Sequence, residues 1–264
     1  MPNIPDVKAS LKQQRLIGQL HRSEIEGAAA VAAHLEACEP ATLCRSLACP
    51  VCGRAFQEVM VTVGDRFIRT PARAVRNRTH QLTIVSETGC VGLDELSPEV
   101  FERVGAETTA ALADLGLPPA LISLEASYNE DETGRLPPHW CAHTHGFGLD
   151  WVSAAQERGL KDRFRPSPWV KNPVRIDLLD QRIAAQRYHF KSERFRRVTE
   201  LVTDHPTRNP YRDTDYRPLR PDQAVRLALA EHELGFGKRL LIHGIEAEAV
   251  RRHLASLGWP RDGP

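Results

Sequence analysis

The sequence predicts an α+β fold in which helices flank an antiparallel β-sheet core. Strand-like runs lie on either side of turn residues, as in hairpins, and helix-like segments separate the other strands. Four cysteines close together near the N-terminus predict a helical, cysteine-rich, zinc-binding appendage to this sheet. Hydrophobic residues make up 41% of the 264 residues, which is enough to build a core.

The segments before the sheet are predicted to be mainly helical. Residues 6–36 are helix-prone and end in the alanine-rich run EGAAAVAAHLEA. After the cysteines, GRAFQEVMVTVGDRF is expected to form a further helix. The first strand is predicted in THQLTIVSETG, because Leu82 to Val85 are strand formers and Gly89 closes the run.

The centre of the chain combines a helix with a hairpin. In SPEVFERVGAETTAALADLG, Ser97 fits the N-cap, Pro98 fits the first turn and Gly116 ends the helix. The runs PALISLEASYNED and HWCAHTHGFGLDWV are strand-like and flank the turn ETGRLPP. Residues 120–152 are therefore predicted to form a β-hairpin.

The C-terminal part is predicted to be helical with one short strand. Ile176, Leu179 and Ile183 are at helical spacing, so VRIDLLDQRIAAQRYHF is predicted to be a helix. Thr203 to Arg220, rich in proline, arginine and aspartate, is predicted to be an irregular loop. PDQAVRLALAEHELG and IEAEAVRRHLASLG are expected to be helices, with the strand KRLLIHG between them. The chain is expected to divide into a cysteine-bearing segment (1–65), a central domain (66–200) and a C-terminal segment (201–264).

Charge and hydropathy favour a cytoplasmic protein without a membrane partner. No apolar run approaches bilayer length, and the N-terminus lacks the pattern of a signal peptide. The net charge is only +1, but Arg66 to Arg78 contains five arginines and no acid, and Arg187 to Arg197 contains five basic residues and one acid. Each run predicts either a cationic surface or an ordinary solvated face.

The cysteine cluster predicts a structural zinc site formed by Cys38, Cys44, Cys49 and Cys52. Four thiolates within fifteen residues can close a tetrahedral site, and His34 could replace one of them. The alternatives are buried thiols or a redox-active CxxC pair. Cys90 and Cys141 are interpreted as isolated strand or core cysteines.

A second candidate metal site lies in the hairpin. His143 and His145 project from one face of a strand, and the preceding strand can place Glu125 beside them. Two imidazoles and a carboxylate suit Mn²⁺ or Mg²⁺ and leave positions open for substrate. His139 lies an even number of residues from both histidines, so a strand would place it on the same face. The alternative is that these histidines are ordinary surface or core residues.

Tyr188 and Lys191 are candidate catalytic residues further along the chain. On a helix they are three residues apart and share a face. A tyrosine can be a covalent nucleophile, and a lysine can neutralise charge that develops on a phosphate. The alternative is a tyrosine that packs on the core.

Taken in order, these elements resemble the rolling-circle replication initiators of small bacterial plasmids. These belong to the HUH endonucleases, a class that includes related transposases and conjugative relaxases. LTIV resembles the first strand motif, LEASYNEDETGRLPPHWCAHTHGF the acid-bearing and histidine strands, and YHFK the tyrosine motif. CRSLACPVC is similar to a cysteine-rich element upstream of the nuclease motifs in one branch. The chain departs from the pattern at Thr144, Gly146 and Gly148, where bulky apolar residues are usual; the glycines indicate a bulge or a close backbone approach.

The resemblance implies a palm-like antiparallel sheet and a metal-dependent DNA-nicking activity. His143, His145 and Glu125 would bind Mg²⁺ or Mn²⁺. Tyr188 would attack a DNA phosphate and remain joined to the 5′ end, with Lys191 assisting. The implied partners are a single-stranded or hairpin DNA origin, a host polymerase and a host helicase. The alternatives are a transposase with the same chemistry and a non-catalytic, zinc-containing DNA-binding regulator.

DNA binding is expected to depend on arginines and aromatic residues. Trp140 and Phe147 are candidates for base stacking, with ordinary packing as the alternative. The candidates for phosphate contacts are the arginines of the two basic runs: Arg66, Arg69, Arg73, Arg76, Arg78, Arg187, Arg194, Arg196 and Arg197.

Overall fold

A computed structural model of the protein describes residues 7–39, 41–74, 78–179, 183–191, 194–203 and 211–259. Its α-helices are α1 (Val7–His21), α2 (Ala28–Glu36), α3 (Pro50–Gly64), α4 (Thr70–Ala74), α5 (Pro98–Asp114), α6 (Ala154–Arg163), α7 (Ile183–Tyr188), α8 (Pro221–Arg239) and α9 (Ala247–Ser256). Its strands are β1 (Thr79–Ile84), β2 (Cys90–Val91), β3 (Ala120–Asp131), β4 (His139–Leu149), β5 (Val174–Leu178), β6 (Phe195–Val202), β7 (Tyr211–Pro218) and β8 (Leu240–His243).

The described strands form one mixed sheet flanked by helices, which confirms the α+β class. The strand order is β5-β1-β4-β3-β6-β7, with β2 added to β4 and β8 added to β3. The expectation of an antiparallel sheet is wrong for one pair, because β3 and β6 run parallel. Glu130 of β3 stabilises this junction, since its carboxylate pairs with Arg196 of β6 and with Arg220 just before α8.

The predicted hairpin is confirmed as β3 and β4, and its register is continuous. Glu125 lies opposite His143, and Ser123 lies opposite His145. No bulge occurs at Gly146 or Gly148; these glycines mark a close backbone approach instead. A Cβ atom on Gly146 would lie 2.4 Å from the carbonyl oxygen of Leu121.

Strand alternation gives the two faces of the hairpin different neighbours. Thr144 points to the face covered by α5, where its hydroxyl lies 3.3 Å from that of Thr108. Helix α5 begins after Ser97 with Pro98 in its first turn, as predicted, and Gly116 follows it with a φ of +58°. His143 and His145 point to the opposite face, which α7 partly covers.

The prediction of a helix from Val174 onwards is wrong for its first part. Residues Val174–Leu178 form β5, in which Ile176 lies opposite Leu82 of β1. Only Ile183–Tyr188 is helical. The apolar residues Val174 and Ile176 also alternate with a period of two, and pairing with the edge of β1 decided between the two periods.

The predicted loop from Thr203 to Arg220 is wrong for its second half, because Tyr211–Pro218 forms β7. This strand pairs with β6, which was also missed. Both strands are rich in charged residues, and ion pairs such as Arg217 with Glu200 and Arg212 with Asp131 stabilise them. Cross-strand charge pairs replace the apolar alternation by which a strand is usually identified. Residues 204–210 lie outside the described part of the chain.

The cysteine-bearing segment packs into the same core as the sheet. Cys49 and Phe56 belong to one buried cluster with Trp140 of β4, Phe190 and Phe236 of α8. The predicted boundaries of the three segments stay a prediction, but their core residues are shared. Among the described residues, no helix has the length and apolarity needed to span a bilayer.

The close approach at Gly146 predicts a clear loss of stability in Gly146→Ala. The new methyl group would overlap the Leu121 carbonyl and the Ile122 Cα, which lies 2.6 Å from the built Cβ position. We expect the free energy of unfolding to fall by about 1–3 kcal/mol, measured by urea denaturation. Gly18→Ala within α1 is the control, because its Cβ has space and alanine favours the helix by about 0.5–1 kcal/mol. Equal effects of both substitutions would contradict the packing described.

Candidate functional site

The polar face of the sheet forms the floor of a cleft of about 400 Å³. Alternating residues of neighbouring strands point into it: Gln81 and Thr83 from β1, Glu125 and Ser127 from β3, Cys141, His143 and His145 from β4, and Arg175 and Asp177 from β5. Tyr188, Lys191, Arg194, Arg197, Tyr216, Glu231 and Arg239 form its other walls. The structure therefore brings together the residues that the sequence nominated from two distant motifs.

The two histidines are oriented by hydrogen bonds at Nδ1. The Nδ1 of His143 donates to the carbonyl oxygen of Cys141 at 3.0 Å. The Nδ1 of His145 lies 2.6 Å from the hydroxyl oxygen of Thr83. Within the described residues, the buried Nε2 of His145 has no hydrogen-bond partner. Both imidazoles thus keep Nε2 for another ligand, the arrangement found in protein metal sites.

Burial keeps both imidazoles neutral. Desolvation lowers the pKa of His143 and, together with His189 and His143, lowers that of His145 to about 2. His189 is a neighbour that the sequence reasoning did not single out; its ring lies 4.3 Å from that of His145, between centroids. Neither ring nitrogen of His189 has a partner in the described structure. Neutral imidazole is the form that binds transition metals.

Tyr188 and Lys191 meet beside the histidines. The ring of Tyr188 stands edge-on to that of His145, with 5.3 Å between centroids and 86° between planes. The Nζ of Lys191 lies 4.5 Å from the centre of the Tyr188 ring. Tyr188 ends α7 rather than lying inside a long helix, and the Lys191 amide contacts the Tyr188 carbonyl at 3.4 Å. Tyr188 is 55% exposed, so a large substrate can reach this residue.

Glu125 lies between two cations. Its carboxylate is 3.3 Å from the Nζ of Lys191 and 3.5 Å from a terminal nitrogen of Arg239. Burial works to lower the pKa of Lys191, but the charge of Glu125 and the hydrogen bonds that Lys191 donates to Glu125 and Tyr188 outweigh it, so the pKa is raised. Lys191 is therefore a cation at neutral pH. Glu125 faces the histidines as expected, but ligation of a metal would require it to exchange a cation contact.

Arg239 connects this carboxylate to two other parts of the site. Its Nε donates to the Ser123 hydroxyl at 2.9 Å, and a terminal nitrogen donates to the Lys191 carbonyl at 2.9 Å. The side chain is only 4% exposed. Helix α8 is broken at Gly235, whose φ of +68° is non-helical, shortly before this arginine.

Several predicted contact residues lie elsewhere. Trp140 is fully buried against Tyr128, and Phe147 is fully buried against Phe190, so neither offers a face for base stacking. The ring of His139 contacts Trp169, with 4.7 Å between centroids, and does not line the cleft. All three are explained by packing.

The nine predicted DNA-contacting arginines divide by exposure. Arg66, Arg73, Arg78 and Arg197 are exposed, and Arg197 lines the cleft. Arg69 is 7% exposed and pairs with Asp65, so it does not belong to a cationic surface. Three others are engaged in ion pairs: Arg187 with Glu58, Arg194 with Glu231 and Arg196 with Glu130. Arg76 lies outside the described residues.

The four predicted zinc ligands form a compact sulfur cluster. The Sγ atoms of Cys38, Cys44, Cys49 and Cys52 all lie within 4.8 Å of one another. Two backbone amides donate to the cluster, Cys44 to the Cys38 sulfur at 3.3 Å and Arg45 to the Cys52 sulfur at 3.1 Å. Among the described residues, no other group of three or more potential ligands is so close. The cluster could hold a structural zinc ion.

The remaining predicted zinc alternative, His34, is engaged elsewhere. Its Nε2 lies 3.0 Å from the carbonyl oxygen of Cys44 and its ring contacts that of His232. Cys49 is the N-cap of α3 and Cys52 lies in its first turn. The cysteines alone account for the cluster.

Comparisons with known proteins do not identify the chain. No family model, curated protein or solved structure matches it.

Sequence reasoning missed part of the cleft. Thr83 and Ser127 interrupt apolar strands with a period of two, a pattern that could have identified them as lining residues. Arg175 and Asp177 were hidden by the incorrect helix assignment. Arg239 carried no local signal, because its partners are more than forty residues away in sequence.

The sulfur cluster predicts about one zinc ion per chain, measured by metal analysis of the purified protein. Cys49→Ser should remove most of the zinc and lower Tm, because a thiolate ligand is lost. Cys90→Ser is the matched control and should retain the metal. A metal-free protein with unchanged Tm after chelation would refute the zinc site.

The buried position of Arg239 predicts a large effect of its removal. Arg239→Met leaves the Glu125 carboxylate buried with one cation fewer, so the free energy of unfolding should fall by about 3 kcal/mol. Lys238→Met is the neighbouring control; its exposed pair with Glu102 should leave stability nearly unchanged. Urea denaturation of both variants distinguishes the outcomes, and a neutral Arg239→Met would show that the network is dispensable.

Proposed function

We propose that this protein is a metal-dependent DNA-nicking enzyme of the HUH type that initiates rolling-circle replication, with a palm-like central sheet. One observation carries the proposal. The ring centroid of Tyr188, an exposed tyrosine, lies 5.3 Å from that of His145. The two rings share a cleft with His143, Glu125 and Lys191. A phenol beside a cation and two neutral imidazoles suits nucleophilic attack on a phosphodiester. Packing alone would not require these groups to lie together.

In the proposed reaction the oxygen of Tyr188 attacks a DNA phosphorus atom. The new bond joins the tyrosine to the 5′ phosphate, the bond from phosphorus to the 3′ oxygen breaks, and that oxygen takes a proton to become a free hydroxyl. The phenol proton leaves to solvent, which the exposure of Tyr188 permits. Lys191 remains charged and stabilises both the phenolate and the negative charge that develops on the phosphate.

The proposed metal ligands are His143 and His145 through Nε2, with Glu125 as the third. Mg²⁺ or Mn²⁺ would polarise the phosphate there. The contacts of the two Nδ1 atoms with Cys141 and Thr83 fix the ring orientations, which supports this proposal. In this proposal Arg239 holds the third ligand and the tyrosine segment together through Glu125 and the Lys191 carbonyl.

The proposed DNA substrate is single-stranded or an extruded hairpin. Arg175 of β5 and Arg197 of β6 line the cleft from strands near opposite edges of the sheet. Tyr216 lies beside Arg197, with 5.9 Å from the guanidinium carbon to the ring centre. Cationic groups can contact phosphates, and an aromatic ring that is 60% exposed can stack on a base. Tyr216 replaces Trp140 and Phe147 as the stacking candidate. A polymerase would extend the free 3′ hydroxyl, and a host helicase would unwind the duplex.

The test is covalent attachment to DNA. Wild-type protein with Mn²⁺ should nick a supercoiled plasmid that carries its origin and form a protein–DNA adduct on labelled single-stranded DNA. Tyr188→Phe should lose adduct formation by at least about 1000-fold while DNA binding changes little, since only the nucleophilic oxygen is removed. Tyr216→Phe is the matched control, an exposed tyrosine in the same cleft that keeps the adduct.

Other outcomes identify the rival functions. An adduct with Tyr188→Phe would show that the nucleophile is wrong. DNA binding without nicking in any metal ion would favour a non-catalytic regulator in which the cysteine cluster is structural. Cleavage and joining at the ends of a mobile element would favour a transposase with the same chemistry.

A further inference from the structure

Cys90 and Cys141, which the sequence suggested were isolated, are neighbours across two strands. Cys90 of β2 lies directly opposite Cys141 of β4. Their sulfur atoms are 3.4 Å apart, and both are free thiols. A disulfide requires about 2.05 Å between sulfur atoms, so side-chain rotations that close little more than an ångström would join them.

The backbone around the pair is held closely in place. Gly89, just before Cys90, approaches β4 so tightly that a Cβ atom would lie 2.2 Å from the carbonyl oxygen of Ala142. Val91, just after it, pairs with Trp140, which is fully buried. The two cysteines therefore face each other as a consequence of fixed strand pairing.

The pair differs in kind from the four-cysteine cluster. Among the described residues, Cys90 and Cys141 are not part of any group of three or more potential metal ligands. Two thiols alone do not close a tetrahedral zinc site. The chemistry open to them is two-electron oxidation.

The two thiols are suited to different steps of such an oxidation. The Cys90 thiol lies within hydrogen-bond distance of the Cys141 sulfur, at 3.4 Å. Cys90 is half-buried, and Cys141 is 7% exposed where it lines the cleft. Cys90 is thus the more accessible of the two thiols, as is usual for cysteines that react with oxidants.

We propose that Cys90 and Cys141 are an oxidative modification site that forms a reversible disulfide on reaction with a hydroperoxide. The Cys90 thiolate attacks the peroxide oxygen, the O–O bond breaks, and hydroxide leaves and is protonated to water. The sulfur of Cys141 then attacks the Cys90 sulfenic acid, the S–O bond breaks, and a second water leaves with the proton of Cys141. Two thiols lose two electrons, and one hydrogen peroxide becomes two waters.

The site lies next to the cleft. The carbonyl oxygen of Cys141 accepts the hydrogen bond that orients His143. A crosslink at Cys141 therefore acts on the residue that holds one of the two cleft histidines. The disulfide itself follows from the sulfur positions and does not depend on whether the cleft cuts DNA.

The test is peptide mapping of the zinc-loaded full-length protein after treatment with hydrogen peroxide. Free thiols are blocked with N-ethylmaleimide, and trypsin then places Cys90 in peptide 79–103 and Cys141 in peptide 136–158. We expect these two peptides to appear crosslinked, lighter by about 2 Da than their summed masses, with the link removed by dithiothreitol. In Cys141→Ser the crosslink should be lost and Cys90 should be trapped as sulfenic acid by dimedone.

Three results would overturn the proposal. In the first, both thiols stay fully alkylated at a peroxide dose that oxidises the cysteine cluster. In the second, Cys90 advances to sulfinic acid without a crosslink. In the third, either cysteine pairs with a residue of the cluster. If Cys141→Ser does not fold, the presence or absence of the crosslink in the wild-type protein decides whether the disulfide forms. Nicking by Tyr188→Phe tests only the proposed function.

Discussion

The candidate site depends on the ion pairs of the buried Glu125 carboxylate. A charge with only 7% of its surface exposed needs partners, and its partners come from two other parts of the chain, Lys191 after α7 and Arg239 at the end of α8. Satisfying this one charge therefore ties the tyrosine-bearing segment and the C-terminal helix to the centre of the sheet. Arg239 strengthens the connection through the Ser123 hydroxyl and the Lys191 carbonyl.

Strand alternation explains why a polar cleft can lie on a well-packed sheet. The even-numbered residues of β4, from Trp140 to Gly148, face α5 and the apolar core, while the odd-numbered residues from Cys141 to His145 face the cleft. Glycines at positions 146 and 148 allow close packing on the first face without affecting the second. Residues that line the cleft and residues that pack in the core therefore alternate along the same strand.

The cysteine cluster and the sheet share one buried core. The cluster lies at the start of α3, whose Phe56 packs against Phe190, two residues beyond Tyr188. A zinc ion at the four sulfurs would fix the first turn of α3, the helix that packs against the segment carrying Tyr188. Metal binding would then contribute to the stability of the whole fold, although the sulfurs themselves lie outside the cleft lining.

The sequence by itself determined the features that neighbouring residues encode. Alternation predicted the β3–β4 hairpin and the shared face of His143 and His145, Ser97, Pro98 and Gly116 marked the ends of α5, and spacing alone grouped the four cysteines. Tertiary structure decided what depends on distant partners. The charged strands β6 and β7 are stable because arginines and acids meet across strands, β5 is a strand because β1 offers it an edge, and Cys90 meets Cys141 through strand pairing. Arg239 illustrates the limit, since no local period or motif signals a cation whose partners lie over a hundred residues away on β3. The physical reason is that periodicity records which face of an element is buried, whereas ion pairs and sheet edges depend on what the fold places opposite.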